Sequence, residues 1–575
     1  MLGNYQYGYL TGRVEAVDAP PQNNGTASCT SQLRYQFDGT LMTEVTASGC
    51  PGAGKIEWQH TGFYEPKTLK ITAGTTPTLN TVLLRDRDSL LTGVDALVLS
   101  RNPLNGLLSS TTLGQVSDSY SYNSFAESEN YSVNTPLGSV FTQGFLRDKL
   151  GRIRQKTETV NAITTTFDYG YDPAGRLETV RENKVLVATY GFDGNSNRTS
   201  RTAVSGTSAG TYDAQDRMTS YGGCTYLYTA NGEMARKTCG SAITQFDIDV
   251  MGNLRSVTLP DSTQIRYLID GANRRIGKLR NNVLEKSWLW QTQLHPAAQL
   301  DAAGNAQQFY LYGEKLNVPS YLVNRENGVN IAYRVISDHL GSVRLVVNAD
   351  TGVVAQRLRY DEFGVVLEDT NPGFQPFGYA GGFYDADTDL VRFGARDYDS
   401  AVGRWLAKDP MGFSSGQINF YCYVKSDPVN LIDLSGTVEV ATGPQVESAG
   451  NALKRAAGSK PNSIALKDAM PILSPEVLDQ FDKKRGPLQC DYGSDGSIDF
   501  ANSGDKLRVD YTEEYTDNSK EDHYVEFADD ISARVRFKDG KIIIDRIKGI
   551  KSSHGKASEI RIEGARACVP ILWTC

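Results

Sequence analysis

The sequence predicts a mainly β fold, built from a repeated strand–turn unit and followed by a small α+β domain at the C-terminus. Three observations carry this. Tyr and Gly are abundant, at 30 and 55 of 575 residues, which favours strands and tight turns over helices. An apolar residue followed by Asp recurs at Tyr171-Asp172, Phe192-Asp193, Tyr212-Asp213, Ile248-Asp249 and Ile269-Asp270, the aspartates 21, 20, 36 and 21 residues apart. After Gly436 the recurrence stops and the composition changes.

Taken in chain order, the first elements are hairpins. Cys29 and Cys50 bracket Asp38-Gly39-Thr40-Leu41 symmetrically, which makes them disulfide candidates, a pair of small buried residues being the plainer reading. The repeats follow, each with a turn: Asp172-Pro173-Ala174-Gly175-Arg176-Leu177, Asp213-Ala214-Gln215-Asp216-Arg217-Met218 and Asp249-Val250-Met251-Gly252-Asn253-Leu254. Gly or Asn in such a turn supplies left-handed backbone. Between turns, segments such as Ile265-Arg266-Tyr267-Leu268-Ile269 alternate as a strand does. The wide gap holds a weaker copy at Tyr228-Thr229, and there Asn231-Gly232 signals a hairpin. Pairing across it sets Cys224 opposite Cys239, at a hydrogen-bonded pair with Cα atoms roughly 5.5 Å apart, a distance a disulfide spans. The Tyr and Asp of these repeats are read as scaffold, not as catalytic groups.

From about Tyr333 the sequence is denser in motifs: Ser337-Asp338-His339-Leu340-Gly341-Ser342-Val343-Arg344, Tyr360-Asp361-Glu362-Phe363-Gly364, and Phe393-Gly394-Ala395-Arg396-Asp397-Tyr398-Asp399. Then come Gly403-Arg404-Trp405-Leu406-Ala407-Lys408-Asp409-Pro410-Met411-Gly412 and Asp427-Pro428-Val429-Asn430-Leu431-Ile432-Asp433-Leu434-Ser435-Gly436. In order and spacing this resembles the core domain of bacterial Rhs (YD-repeat) proteins, and the stretch from about Leu10 to Asp270 resembles a run of degenerate YD repeats. The resemblance implies strands spiralling into a shell over residues 1–332, a self-cleaving core over 333–437 and a variable effector over 438–575.

Such a core is expected to release the C-terminal segment through two aspartates acting as an aspartic-protease dyad, in which one carboxyl holds a proton while the other activates water. By position the pair is Asp409 and Asp427, each before a Pro, with Arg404 or Lys408 polarising the carbonyl and Asp433 in reserve. The bland alternative for both Asp-Pro steps is a turn former. The family ending is Asp-Pro-x-Gly-Leu, cut after Leu. Here Leu434 stands for the Pro and Thr437 for the Leu, so the expected bond is Thr437–Val438, cut slowly.

The C-terminal segment has helical character over 445–485, with Ser474 capping at Pro475, and strands beyond Leu488. It lacks the His-x-Glu and Pro-Cys-x-x-Cys of zinc deaminases and the His-Glu-x-x-His of zincins, and Cys490, Cys568 and Cys575 lack metal-ligand spacing. No metal or cofactor is therefore expected. Residues 486–530 carry 13 acidic and 3 basic residues, and 531–566 carry 10 basic and 4 acidic. A basic stretch with His suits metal-independent RNA cleavage, with His523, His554, Arg536 and Lys548 as the groups to test. A solvated strand face is the plainer reading of the same charges.

The main functional expectation is a polymorphic toxin used in bacterial competition, with an immunity protein as partner and nucleic acid as substrate. The alternatives are a non-enzymatic surface or wall-associated repeat protein, and a displaced fragment of a larger gene. A net charge of −8 argues against a chain coated in nucleic acid. No apolar run reaches the roughly 18 residues of a membrane span. The start, MLGNYQYGYL, shows no signal peptide, so export is expected by another route. Enclosing a 138-residue effector requires roughly 7,000 Å² of sheet, which 436 residues at about 16 Å² each supply only if all are strand. Upstream sequence or a partner is therefore expected to complete the shell.

Overall fold

A computed structural model describes residues 14–315 and 317–441 fully, and the backbone alone of Arg13 and of strands Gln6–Leu10, Gln489–Tyr492, Ile498–Ser503, Arg508–Glu514, Lys520–Lys538 and Lys541–His554. The chain divides into two compact units, Met1–Gly443 and Pro444–Cys575.

The first unit is dominated by a 34-stranded antiparallel sheet running from Gln6–Leu10 to Val366–Asp369, shell-like in form. Its unit is the Asp-closed turn. At Asp172, Oδ1 accepts the N–H groups of Ala174 and Arg176 at 2.9 and 3.0 Å, and Oδ2 accepts Arg176 Nε at 2.6 Å. The fourth residue takes positive φ, as at Gly175, Ser196, Asp216, Gly232, Gly252 and Asn273. The residue five after the Asp is buried at Ile153, Leu177, Met218 and Leu254, and at the polar copies Arg198 and Arg275. The Tyr before the Asp reaches back one repeat. Tyr171 Oη donates to Ile153 O at 2.6 Å, and Tyr212 Oη to Arg198 O at 2.7 Å. The Asp thus closes its own turn, while the Tyr ties that turn to the previous one.

Both candidate disulfides form, Cys29–Cys50 and Cys224–Cys239. The second differs in detail from the expectation. Thr229–Glu233 makes the same five-residue turn as the Asp copies, and a bulge at Ala235 restores the register that sets Cys224 opposite Cys239. Their Cα atoms are 4.2 Å apart, nearer the spacing of a non-hydrogen-bonded pair.

The sheet also meets itself across long sequence separations. Gln22 exchanges two hydrogen bonds with the Ile269 backbone, Thr75 N donates to Asn305 Oδ1, and Arg334 pairs with Asp118 at 2.6 Å. The 332/333 boundary read from sequence falls inside the strand Val329–Ser337, and the large sheet continues to Asp369. A four-stranded sheet follows, Phe383–Asp385, Leu390–Phe393, Arg396–Asp399 and Arg404–Trp405, and then a two-stranded ladder of Leu431–Ile432 with Val440–Ala441. Phe393, Tyr398, Trp405, Tyr423 and Ile432 form the core beneath these elements.

The second unit contains a five-stranded antiparallel sheet, with Lys520–Lys538 paired to Ile498–Ser503, Arg508–Glu514 and Lys541–His554. Its register puts His523 opposite Tyr511 and His554 opposite Tyr524. The helical reading of 445–485 lies outside the described residues, as do the side chains of His523, His554, Arg536 and Lys548.

Candidate functional site

The site is organised by Arg396, at the start of the third strand of the four-stranded sheet. Its guanidinium stacks 4.1 Å from the Trp405 ring, and burial pulls its pKa down from the ordinary value. Nη2 lies 2.9 Å from Asp409 Oδ2 and 3.0 Å from Asp433 Oδ2, so the two carboxylate oxygens lie at most about 6 Å apart, bridged by one guanidinium nitrogen. Nη1 donates to Phe420 O at 3.2 Å, and Nε donates to Gly436 O at 2.5 Å. One guanidinium therefore holds both carboxylates and the carbonyl that precedes Thr437.

The two aspartates are not equivalent. Asp409 accepts Met411 N–H at 2.8 Å, and burial raises its pKa against the opposing pull of Arg396. Asp433 Oδ1 accepts Thr437 N–H at 3.0 Å, Val438 N–H at 3.2 Å and Ser435 Oγ at 3.3 Å. Asp433 thus grips the amides on both sides of Thr437.

The segment is held from the other side as well. Ser435 O accepts Ala395 N–H at 2.8 Å. Gly436 takes φ +69°, and a Cβ there would lie 2.4 Å from Phe393 O and 2.9 Å from Arg396 N. Beyond the site, Glu439 pairs with Lys425 and Gln417.

The structure brings Asp409 together with Asp433, the reserve candidate, on Arg396. Asp427 sits elsewhere. Both of its oxygens take Asn430 Nδ2, at 2.8 and 3.0 Å, and Asn430 in turn holds Ile153 N and Tyr171 Oη. Asp427 thus fastens the core to the first Asp-closed turns, and burial pushes its pKa up to about 6. Arg404 is likewise a fastener, with Nη1 on Asn197 Oδ1 at 2.8 Å and Nη2 on Asp216 O at 2.5 Å. Lys408 packs against Gly232. Arg396 was the residue missed in sequence, although it stands in the quoted Phe393–Asp399 motif. Among the described residues no cluster of His, Cys, Asp and Glu could hold a metal ion, and no helix is long and apolar enough to cross a membrane.

The family model "Teneurin YD-shell" matches residues 31–429. The chain belongs to the Teneurin YD-shell family. Among curated relatives, this YD-shell chain is 29% identical to Teneurin-4 of Homo sapiens over 299 residues, covering 49% of this chain and 10% of the relative. It is 25% identical to the tRNA3(Ser)-specific nuclease WapA of Bacillus spizizenii over 299 residues, 50% of this chain and 11% of that protein. The chain thus spans about a tenth of the length of these relatives. The YD-shell fold recurs in the TcdB2-TccC3 crystal structure, with a TM-score of 0.51 and 15% identity, covering 75% of this chain and 27% of the other. It recurs also in the Tc holotoxin pore of Photorhabdus luminescens, with a TM-score of 0.52 and 13% identity, covering 76% and 26%.

Proposed function

We propose that this chain is an Rhs-type toxin carrier, whose YD shell supports a core that cuts the chain next to Thr437 and frees the C-terminal segment as an effector. The observation that carries the reading is the convergence of Asp409, Asp433 and the Gly436 carbonyl on Arg396. Asp409, its pKa raised by burial, holds the proton. Asp433 Oδ1 accepts hydrogen bonds from Ser435 Oγ and from the Thr437 and Val438 N–H groups, and it serves as the base. Arg396 stabilises the charge that develops on the attacked carbonyl oxygen, and the held segment supplies the proximity that makes an intramolecular cut fast.

The effector is proposed to be a nuclease. WapA is named as a tRNA nuclease, and the basic stretch 531–566 suits a phosphate backbone. An immunity protein that binds residues 438–575, delivery to the cell surface or beyond, and a partner or further sequence completing the shell belong to the same proposal.

Purified full-length protein is the test of cleavage. Incubation should yield two fragments that part near residue 437, and Asp409→Asn and Asp433→Asn should yield none. Expression of residues 438–575 in a bacterial host tests the effector, with growth arrest and loss of intact RNA expected. A stable uncut chain with no growth defect would favour a non-enzymatic repeat protein.

A further inference from the structure

We propose that the Thr437 hydroxyl is the nucleophile of self-cleavage, attacking the Gly436 carbonyl, so that the bond cut is Gly436–Thr437 and not Thr437–Val438. This rests on the self-cleavage reading above and deepens it.

Both halves of the Gly436–Thr437 peptide are engaged. Its carbonyl oxygen takes Arg396 Nε at 2.5 Å, and its N–H meets Asp433 Oδ1 at 3.0 Å. For the next peptide the hydrogen bonds among the described residues reach only the Val438 N–H. A polarised carbonyl is the requirement for attack, and Gly436 is the residue that has one.

A path for the hydroxyl proton is also present. Ser435 Oγ lies 2.7 Å from Thr437 Oγ1, 3.3 Å from Asp433 Oδ1 and 3.3 Å from Val438 N. A hydroxyl has one proton and two lone pairs. Val438 N–H can only donate, and an ionised Asp433 can only accept. The contact with Thr437 can run in either direction; the reactive arrangement is the one in which Ser435 gives its proton to Asp433 and takes the Thr437 O–H on its remaining lone pair. The chain Thr437 → Ser435 → Asp433 links a nucleophile to a base through a third group.

The chemistry balances with water as the sole co-reactant. Thr437 Oγ1 bonds to the Gly436 carbonyl carbon through a five-membered ring as its proton passes to Ser435 Oγ and that of Ser435 passes to Asp433. The C–N bond then breaks, and Asp433 returns the proton to Thr437 N, which lies 3.0 Å from the same oxygen. An ester joins Gly436 to Thr437 Oγ1. Water adds to it, the C–O bond breaks, the Thr437 hydroxyl is restored and Gly436 leaves as a carboxylate.

The test uses the full chain. Wild type, Thr437→Val and Thr437→Ser are incubated alone and with hydroxylamine, and the fragments are read by intact mass and N-terminal sequencing. The expected downstream fragment begins at Thr437, and hydroxylamine speeds cleavage and leaves Gly436 as its hydroxamate. Thr437→Ser should cut, and Thr437→Val, equal in shape and matched in melting temperature, should cut about a hundredfold more slowly or not at all. A fragment beginning at Val438, or undiminished cleavage in Thr437→Val, would overturn the proposal in favour of direct attack by water and leave self-cleavage standing. A wild-type chain that is uncut even with hydroxylamine would overturn both.

Discussion

Asp409 and Asp433 meet on the same nitrogen, Nη2 of Arg396, at 2.9 and 3.0 Å. The first follows the edge strand Arg404–Trp405 and the second directly follows the short strand Leu431–Ile432. Removing either carboxylate leaves Arg396 buried with half of its counter-charge, so each is expected to matter to both cleavage and packing.

Asp409→Asn preserves volume and removes the titratable proton. Cleavage followed on a gel should fall at least about a hundredfold. In the wild type, burial raises the pKa of Asp409, so its acid form persists to higher pH than in an ordinary Asp. The rate should therefore decline as pH rises through that raised value. A rate that climbs steadily from about pH 4 to about pH 8 would contradict an acid role.

Asp427→Asn is expected to leave cleavage intact, because Asp427 serves Asn430 and the turn at Ile153. Its stability effect has a definite sign. The folded pKa of about 6 lies above the ordinary carboxyl value of 3.8. The folded state therefore binds the proton more tightly, and stability is lost as pH rises from about 4 to about 6. At neutral pH the buried charge costs about 3 kcal/mol, of which a lost hydrogen bond to Asn430 returns about 1 kcal/mol. Asp427→Asn should thus melt higher than wild type at neutral pH, and near pH 4, where the charge is gone and the lost hydrogen bond remains, slightly lower. Equal melting curves at neutral pH would refute the assignment.

The repeats were legible in the sequence because each Asp-closed turn is local. Asp172 bonds residues two and four places on, so the physics repeats with the letters. The Cys224–Cys239 pairing was legible through an offset that a bulge at Ala235 happens to preserve, although the turn itself was misread. The pairing at the site was not legible. Asp409-Pro410 and Asp427-Pro428 look alike as letters, yet one aspartate faces Arg396 and the other faces Asn430. That choice is made by the four-stranded sheet and the aromatic core of Phe393, Tyr398 and Trp405 beneath it, where non-local packing sets which side chains converge.

Arg334 provides a test of how the sheet holds itself together. It is fully buried, and Nη2 reaches Asp118 at 2.6 Å and Glu314 at 2.7 Å, joining segments more than 200 residues apart. Asp118→Ala strips one of its two carboxylate partners and also leaves Thr111 N–H without its acceptor. A loss of about 3–5 kcal/mol is expected, read as a lower midpoint in urea. A loss below about 1 kcal/mol would mean that the network is no more than a surface-type pair.

Gly436→Ala should stop cleavage while the shell stays folded. The left-handed φ of +69° is costly for Ala, and its Cβ would sit 2.4 Å from Phe393 O and 2.9 Å from Arg396 N, distances at which something must move. Both obstructing atoms are backbone in the four-stranded sheet, which is buried and cannot yield cheaply. The segment Ser435–Thr437 must lift instead, carrying the Gly436 carbonyl off Arg396 Nε and the Thr437 N–H off Asp433. A misplacement of about 1 Å costs about a hundredfold in rate when catalysis depends on positioning. The sheet does not depend on this contact, so the melting temperature should change far less than the rate. Cleavage at the wild-type rate in Gly436→Ala would show that the observed seat of the segment is not the reactive one.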